Sequence, residues 1–187
     1  MATVARVRRN APMEGITVTD IVYATTLDTP VGALALLVHD DALVAAGFTP
    51  IDDQFARLRT SASLRVVDAL GPFSVALQAY FDGDVTAPDT LPVSQPGGAF
   101  RQAAWKVMRE VPPGETISYA ELASRSGSPT AVRAAGSACA TNMVAPIVPC
   151  HRIVRTGGSL GGYYYGLSTK QWLLAHERGE PAELTLL

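Results

Sequence analysis

Two cysteines in 187 residues, Cys139 and Cys150, are too few for a disulfide scaffold or a four-cysteine metal site. Histidine is as scarce. His39, His151 and His176 make no H-E-x-x-H pair and no C-x-x-C is present, so no metal or other cofactor is expected. No apolar run approaches the roughly 20 residues that cross a bilayer, and no hydrophobic block follows Arg6, Arg8 and Arg9 in the manner of a signal peptide. With 48% apolar and 17% charged residues the chain reads as globular. It is expected to be soluble and cytoplasmic, with residues 1–16 as a flexible basic tail and no membrane partner.

The charge that is present divides unevenly. Residues 1–95 hold 6 Lys/Arg against 11 Asp/Glu, whereas residues 96–187 hold 9 against 6. The second half is therefore the candidate for meeting a polyanion, through a few phosphate contacts rather than a broad basic groove. Three apolar runs, Ile21 to Thr26, Gly32 to His39 and Leu43 to Phe48, are separated by Asp28-Thr29-Pro30 and His39-Asp40-Asp41. They predict a three-stranded antiparallel meander. Asp52 to Arg59 and Phe73 to Phe81 predict helices. Pro88, Pro92, Pro96, Gly97 and Gly98 mark a boundary between an N-terminal α/β domain over 17–95 and a C-terminal domain over 96–187.

Beyond that boundary, Phe100 to Val111 spaces its apolar residues as a helix does, and Pro112-Pro113-Gly114 stops it. Ser118 reads as an N-cap with Glu121 three residues on. The turn Gly127-Ser128-Pro129 leads to a second short helix, Thr130 to about Thr141, which completes a helix-turn-helix candidate. That second helix is built mostly from Ala, Gly, Ser and Cys. Such a slim helix suits tight packing in a core as well as close approach to another surface. A last helix, Ser168 to about Glu177, returns Trp172-Leu173-Leu174 to the core. The fold class is α/β in its α+β form, with a winged-helix or helix-turn-helix-like, mostly helical second half carrying the reactive cysteine.

A reactive cysteine needs a neighbour that lowers its pKa or takes its proton. Cys150 has His151 beside it and Glu177 downstream. Adjacent residues on extended backbone point to opposite sides, so a water bridge between thiol and imidazole is easier than direct contact. A Cys-His dipeptide alone arises often by chance. Its surroundings are more specific: Phe100-x4-Trp105, Pro112-x-Gly114, Ser118-Tyr119-x-x-Leu122-Ala123, Ala131-Val132-Arg133-Ala134-x-Gly136, Asn142, Pro149-Cys150-His151-Arg152-Ile153, Leu160-Gly161-Gly162-Tyr163-x-x-Gly166-Leu167 and Lys170-x-Trp172-Leu173-Leu174-x-x-Glu177. Over about residues 97–180 the chain resembles the O6-alkylguanine-DNA alkyltransferases, the methylated-DNA–protein-cysteine methyltransferases.

The resemblance implies single-turnover, suicidal DNA repair, with a nucleoid-associated location in a bacterium. Cys150 would accept an alkyl group, mainly methyl, from O6-alkylguanine in double-stranded DNA, with O4-alkylthymine as a further substrate to test. Glu177, His151 and a water would activate it, and Asn142 would hold the hinge before the cysteine segment. Arg133 would fill the stack behind a base flipped out through the minor groove, and Tyr119 would donate to that base. Tyr163, Tyr164 and Ile153 would lie beside it. Arg152 is assigned a structural ion pair bridging the two halves, and Cys139 inert packing. The protein is expected to act as a monomer, with cooperative assembly on DNA left open.

Two positions depart from the family pattern. Tyr164-Tyr165 stands where a small residue or Gly is common, and two rings would narrow the pocket or its mouth or supply a stacking surface. Met143 follows the hinge Asn where Pro is usual, which predicts a looser hinge. Three rivals remain on the residues alone. A non-enzymatic binder of alkylated DNA on this scaffold would have the cysteine replaced. A winged-helix regulator would need a polar, base-reading second helix. A Cys-His hydrolase would need an oxyanion hole.

Overall fold

Apolar runs broken by short polar turns fold back on one another, and the N-terminal half does this twice in succession. A computed structural model describes residues 20–181, so the basic tail expected over 1–16 lies outside the described residues. Strands β1 (Ile21–Thr29), β2 (Gly32–His39) and β3 (Ala42–Gly47) form the antiparallel meander. Asp40 and Asp41 close the second hairpin at φ 47° and 57°, left-handed backbone that a primed two-residue turn requires and Asp tolerates. β2 is apolar from Leu34 to Val38 because both of its faces are covered there. Leu34, Leu36 and Val38 share a core with Phe73 and Leu77 of α2 (Pro72–Phe81). Ala35 and Leu37 face the other way, against Phe55 and Leu58 of α1 (Ile51–Leu58).

The sheet has a fourth strand beyond the predicted three. β4 (Ser63–Val66) pairs in parallel with β1, giving the order β3-β2-β1-β4. Three of its four residues are exposed, so no apolar alternation marks it in the sequence. Backbone pairing to β1 after the α1 crossover decides its state. The opposite edge, β3, is covered by two segments from further along the chain. Leu43 N–H donates to Pro92 O (2.9 Å) and Ser94 N–H to Leu43 O (2.8 Å), while Ala46 N–H donates to Met143 O (2.7 Å) and Ala145 N–H to Ala46 O (3.0 Å). These bonds blunt the edge and register both the joining segment and the hinge region on the sheet.

The C-terminal half comprises α3 (Ala99–Glu110), α4 (Tyr119–Arg125), α5 (Val132–Ala140) and α6 (Leu167–Glu177). A two-stranded parallel ladder, β5 (Ile117–Ser118) with β6 (Ile153–Val154), is too short to be legible in sequence. Ser118 caps α4 by accepting from Glu121 N–H at 3.0 Å. The Glu121 carboxylate lies 3.8 Å from Arg125, one turn on, so it stabilises the helix as an i,i+4 pair. Trp105 of α3 donates to Ala138 O at 2.9 Å, fastening α5 to α3. Trp105, Met108, Leu122, Ala135 and Ala138 are continuous with the Leu34 and Leu36 core. One core therefore runs through both halves. Among the described residues no helix is long and apolar enough to cross a membrane.

Candidate active site

Pro149 leads into a single 3-10 turn, Cys150–Arg152. The extended backbone expected at Cys150-His151 is thus a turn, and the nearest polar partner of the thiol comes from elsewhere: Asn142 Nδ2 donates to Cys150 Sγ at 3.2 Å. The same Nδ2 donates to Val148 O at 2.7 Å, while Oδ1 accepts from Val144 N–H at 3.1 Å. Asn142, just past α5, therefore stitches together the loop that delivers the cysteine. Burial pushes the Cys150 thiol up, and the Asn142 bond and the Lys170 charge oppose that.

Beneath the cysteine lies a fully buried pair. His151 Nε2 is 2.7 Å from Glu177 Oε1. The carboxylate also accepts from Arg152 Nε (2.9 Å) and Nη2 (2.9 Å), from Tyr80 OH (2.9 Å) and from Gly114 N–H (3.1 Å). Burial alone would raise the Glu177 carboxyl, but the hydrogen bonds from His151 and Arg152 and the Arg152 charge hold it well below the ordinary carboxylate range. An ionised carboxylate has no proton to give, so Nε2 carries the imidazole proton and Nδ1 presents a lone pair. Nδ1 is buried with no hydrogen-bond partner among the described residues. Burial, outweighing Glu177, lowers the His151 pKa below 6.5, so the ring is neutral at neutral pH.

The expected ion pair between the halves takes a different form. Arg152 pairs with Glu177 and donates to Val111 O (2.5 Å), all within the C-terminal half. A buried guanidinium takes the nearest fork-shaped acceptor, and Glu177 supplies it. The link from this carboxylate to the N-terminal half is Tyr80, which the sequence marks only as part of a predicted helix. Lys170 carries no sequence signal beyond its place in the motif. It is wholly buried, and its Nζ donates to Ile153 O at 2.7 Å and to Leu160 O.

Cys150 opens onto a cavity of about 230 Å³ whose lining includes Tyr119, Gly136, Cys139, Tyr163 and Tyr164. Tyr119 is half-buried at the start of α4, and a Cβ on Gly161 would come within 3.1 Å of its hydroxyl. The Tyr163 hydroxyl is buried without a partner among the described residues. Ile153 does not line the cavity: its N–H donates to Cys150 O and its carbonyl is held by Lys170. Arg133 is exposed near the start of α5, on a face with Ser137 and Ala140, while Ala135 and Ala138 face the core.

The two tyrosines take different partners. Gly166 N–H donates to Tyr163 O at 3.1 Å, which turns the chain at 164–165, and the Tyr164 and Tyr165 rings meet edge to face at 5.0 Å. Tyr164, 62% exposed, stays at the cavity with Arg57 over its ring at 4.7 Å. Tyr165 leaves it for the sheet, where its hydroxyl accepts from Gln54 Nε2 at 3.1 Å. A Cβ on Gly47 would lie 1.8 Å from that hydroxyl, so glycine there makes the room.

A buried cysteine opening onto a cavity, with a buried His–Glu pair next to it in the chain and a slim helix alongside, marks a candidate site for thiol chemistry. Residues 99–179 match the family model described as 6-O-methylguanine DNA methyltransferase, DNA binding domain, and residues 22–95 match that family's ribonuclease-like domain. A methylated-DNA–protein-cysteine methyltransferase of Mycolicibacterium paratuberculosis is 38% identical over 168 residues, covering 86% of this chain and 96% of that protein. The Escherichia coli bifunctional transcriptional activator/DNA repair enzyme Ada is 52% identical over 90 residues, which is 48% of this chain but 25% of Ada. The crystal structure of Mycobacterium tuberculosis OGT in complex with DNA superposes with a TM-score of 0.75 at 33% identity, covering 86% of this chain and 96% of that one. The chain belongs to the 6-O-methylguanine DNA methyltransferase family.

Proposed function

We propose that this chain repairs DNA by moving the methyl group of O6-methylguanine onto Cys150, once per protein molecule. The observation that carries the reading is a thiol at the cavity followed in the chain by a histidine that leaves Nδ1 without a partner and turns Nε2–H to an ionised Glu177. Burial keeps the resting sulfur protonated. With damaged base bound, the thiol proton passes through a water to Nδ1, and Glu177 stabilises the imidazolium that forms. The thiolate attacks the methyl carbon in line as the carbon–O6 bond breaks. Sulfur gains the methyl, and the electron pair leaves with guanine. Tyr119, whose pKa burial raises, remains a hydroxyl donor to the leaving base. The thioether has no route back to a thiol, so turnover stops at one. A duplex carrying a labelled O6-methylguanine should leave one labelled methyl per protein, on the peptide containing Cys150. Label on Cys139 instead, or more than one methyl per protein, contradicts the reading.

A base inside duplex DNA cannot reach a buried sulfur, so it must be flipped out. Arg133 and Ser137 on the outer face of α5 are the groups that meet the duplex, and small side chains let that helix enter the minor groove. Arg133→Ala should slow repair of duplex by roughly tenfold or more while leaving reaction with free O6-methylguanine base unchanged. Equal loss on both substrates would place Arg133 elsewhere in the mechanism.

Tyr164, steadied by Arg57, narrows the mouth of the cavity. The protein should therefore favour methyl over bulky adducts, and O6-benzylguanine should inactivate it more slowly than methylated duplex does. Tyr164→Gly should speed benzylguanine inactivation by about tenfold, within the range that pocket sterics impose. Arg57→Ala should act in the same direction more weakly. Benzylguanine kinetics unchanged in Tyr164→Gly would remove the ring as the size filter.

A further inference from the structure

We infer that Gln95, in the segment joining the two halves, is a positioning residue for the acceptor thiol, acting through Asn142 and replacing the proline this chain lacks after its hinge asparagine. The inference rests on the reading of Cys150 as acceptor. Its starting point is the hydrogen-bonding capacity of one amide. Asn142 Nδ2 has two hydrogens, and both are used, on Val148 O and Cys150 Sγ. Oδ1 has two lone pairs, and both are used as well: Val144 N–H donates to one and Gln95 Nε2 (3.2 Å) to the other. With all four positions filled the amide has one orientation. A flip would set Oδ1 against the Val148 carbonyl and the sulfur, and Nδ2 against two donors.

Gln95 is itself held. It is 7% exposed, its carbonyl accepts from Gln102 Nε2 at 2.7 Å, and the preceding Ser94 is hydrogen-bonded to β3. Its other side-chain atom meets the departure from the family pattern. A proline after the hinge asparagine has no N–H to satisfy and a fixed φ. Met143 has a half-buried N–H and needs an acceptor. Gln95 Oε1 accepts it at 2.9 Å. One buried side chain thus satisfies the donor that the missing proline leaves behind and fixes the amide that donates to the sulfur. The looser hinge expected from Met143 is countered from the other half of the protein.

A double-mutant cycle tests this, using single-turnover methyl transfer from O6-methylguanine duplex measured across pH. Gln95→Met should slow transfer by about tenfold near neutral pH, roughly what one hydrogen bond to an ionising group contributes. Its pH–rate curve should move to higher pH, because the thiolate loses an oriented donor, and the rates should converge as pH rises. Met143→Pro should keep the wild-type rate within about twofold. In the Met143→Pro background the loss on replacing Gln95 should shrink to roughly threefold or less. Equal losses in both backgrounds, or a loss uniform across pH, would overturn the inference. Should Gln95→Met fail to fold, Gln95→Glu retains an acceptor for Met143 N–H but turns an acceptor toward Asn142 Oδ1. The same pH displacement is expected there, and an unmoved curve rejects the role. A wild-type protein that puts no methyl on Cys150 would sink the acceptor reading itself. An uncoupled cycle alongside normal wild-type transfer would sink only the role of Gln95.

Discussion

Replacing Cys150 with alanine is expected to take methyl transfer from one per protein to none, while binding to duplex DNA persists. In the proposed mechanism the sulfur is the nucleophile that His151 and Glu177 activate, and an alanine methyl neither ionises nor displaces. Serine at this position should be equally inactive. A hydroxyl is a far weaker nucleophile at its own pKa than a thiol, and the neutral His151 is too weak a base to ionise it in a buried site. Binding should survive because the surface proposed to meet DNA, Arg133 and Ser137 on α5, is fastened through Trp105 to Ala138 rather than through the thiol. Cys139 supplies the contrast. It shares the cavity, yet burial and the neighbouring Cys150 push its thiol far above the ordinary range. Cys139→Ser should therefore retain a stoichiometry of one methyl per protein. Mass spectrometry of the digested protein, together with gel-shift binding, reads all three variants. Methyl transfer surviving in Cys150→Ala would require a different acceptor.

The groups proposed for this chemistry were legible in sequence where local order decides them. The Pro-Cys-His-Arg run, Asn142 eight residues before the cysteine and Glu177 on the last helix all fall into one site. The Asp40-Asp41 turn and the apolar run of β2 were legible too, because turn chemistry and apolar runs act over a few residues; that both faces of β2 are covered was not. What escaped depends on contacts between distant segments. Tyr80 meets Glu177 across 97 positions, and Gln95 meets Asn142 across 47. Neither residue type nor spacing marks such partners. Tyr165 shows the same limit from the other side. Its ring looked like a pocket wall beside Tyr164, and only the turn at 164–165 and the space over Gly47 send it to the sheet. β4 lacked any signal of its own, since its state is set by the exposed backbone of β1.

Glu177→Gln is expected to damage stability and activity together, and for separable reasons. The carboxylate is the only acidic partner of Arg152 among the described residues, and both side chains are buried. Removing its charge leaves a guanidinium uncompensated in the interior, a loss of about 3–5 kcal/mol against a total stability of about 5–15 kcal/mol. For a protein of this size the midpoint of thermal unfolding should drop by roughly 2–4 °C per kcal/mol lost. Tyr80→Phe removes one donor and no charge, and should cost about 1.5–3 kcal/mol at most. Acid provides an independent check. His151 is held neutral, its folded pKa below the ordinary 6.5, and Glu177 is held ionised, its folded pKa below the ordinary 4.5. In both cases the unfolded chain takes up protons first, so stability is full above pH 6.5 and falls as pH drops. His151 contributes to that fall from 6.5 downward and Glu177 from 4.5 downward. Urea midpoints measured from about pH 8 to about pH 4 should decline without a maximum for these two groups, and in Glu177→Gln the part below 4.5 should be smaller. Methyl transfer by the glutamine variant should fall by about 10²-fold or more even where it is fully folded, because an amide stabilises no imidazolium. A variant that kept wild-type transfer at a temperature well below its melting point would show that the His151–Glu177 pair supports the fold and not the proton's route.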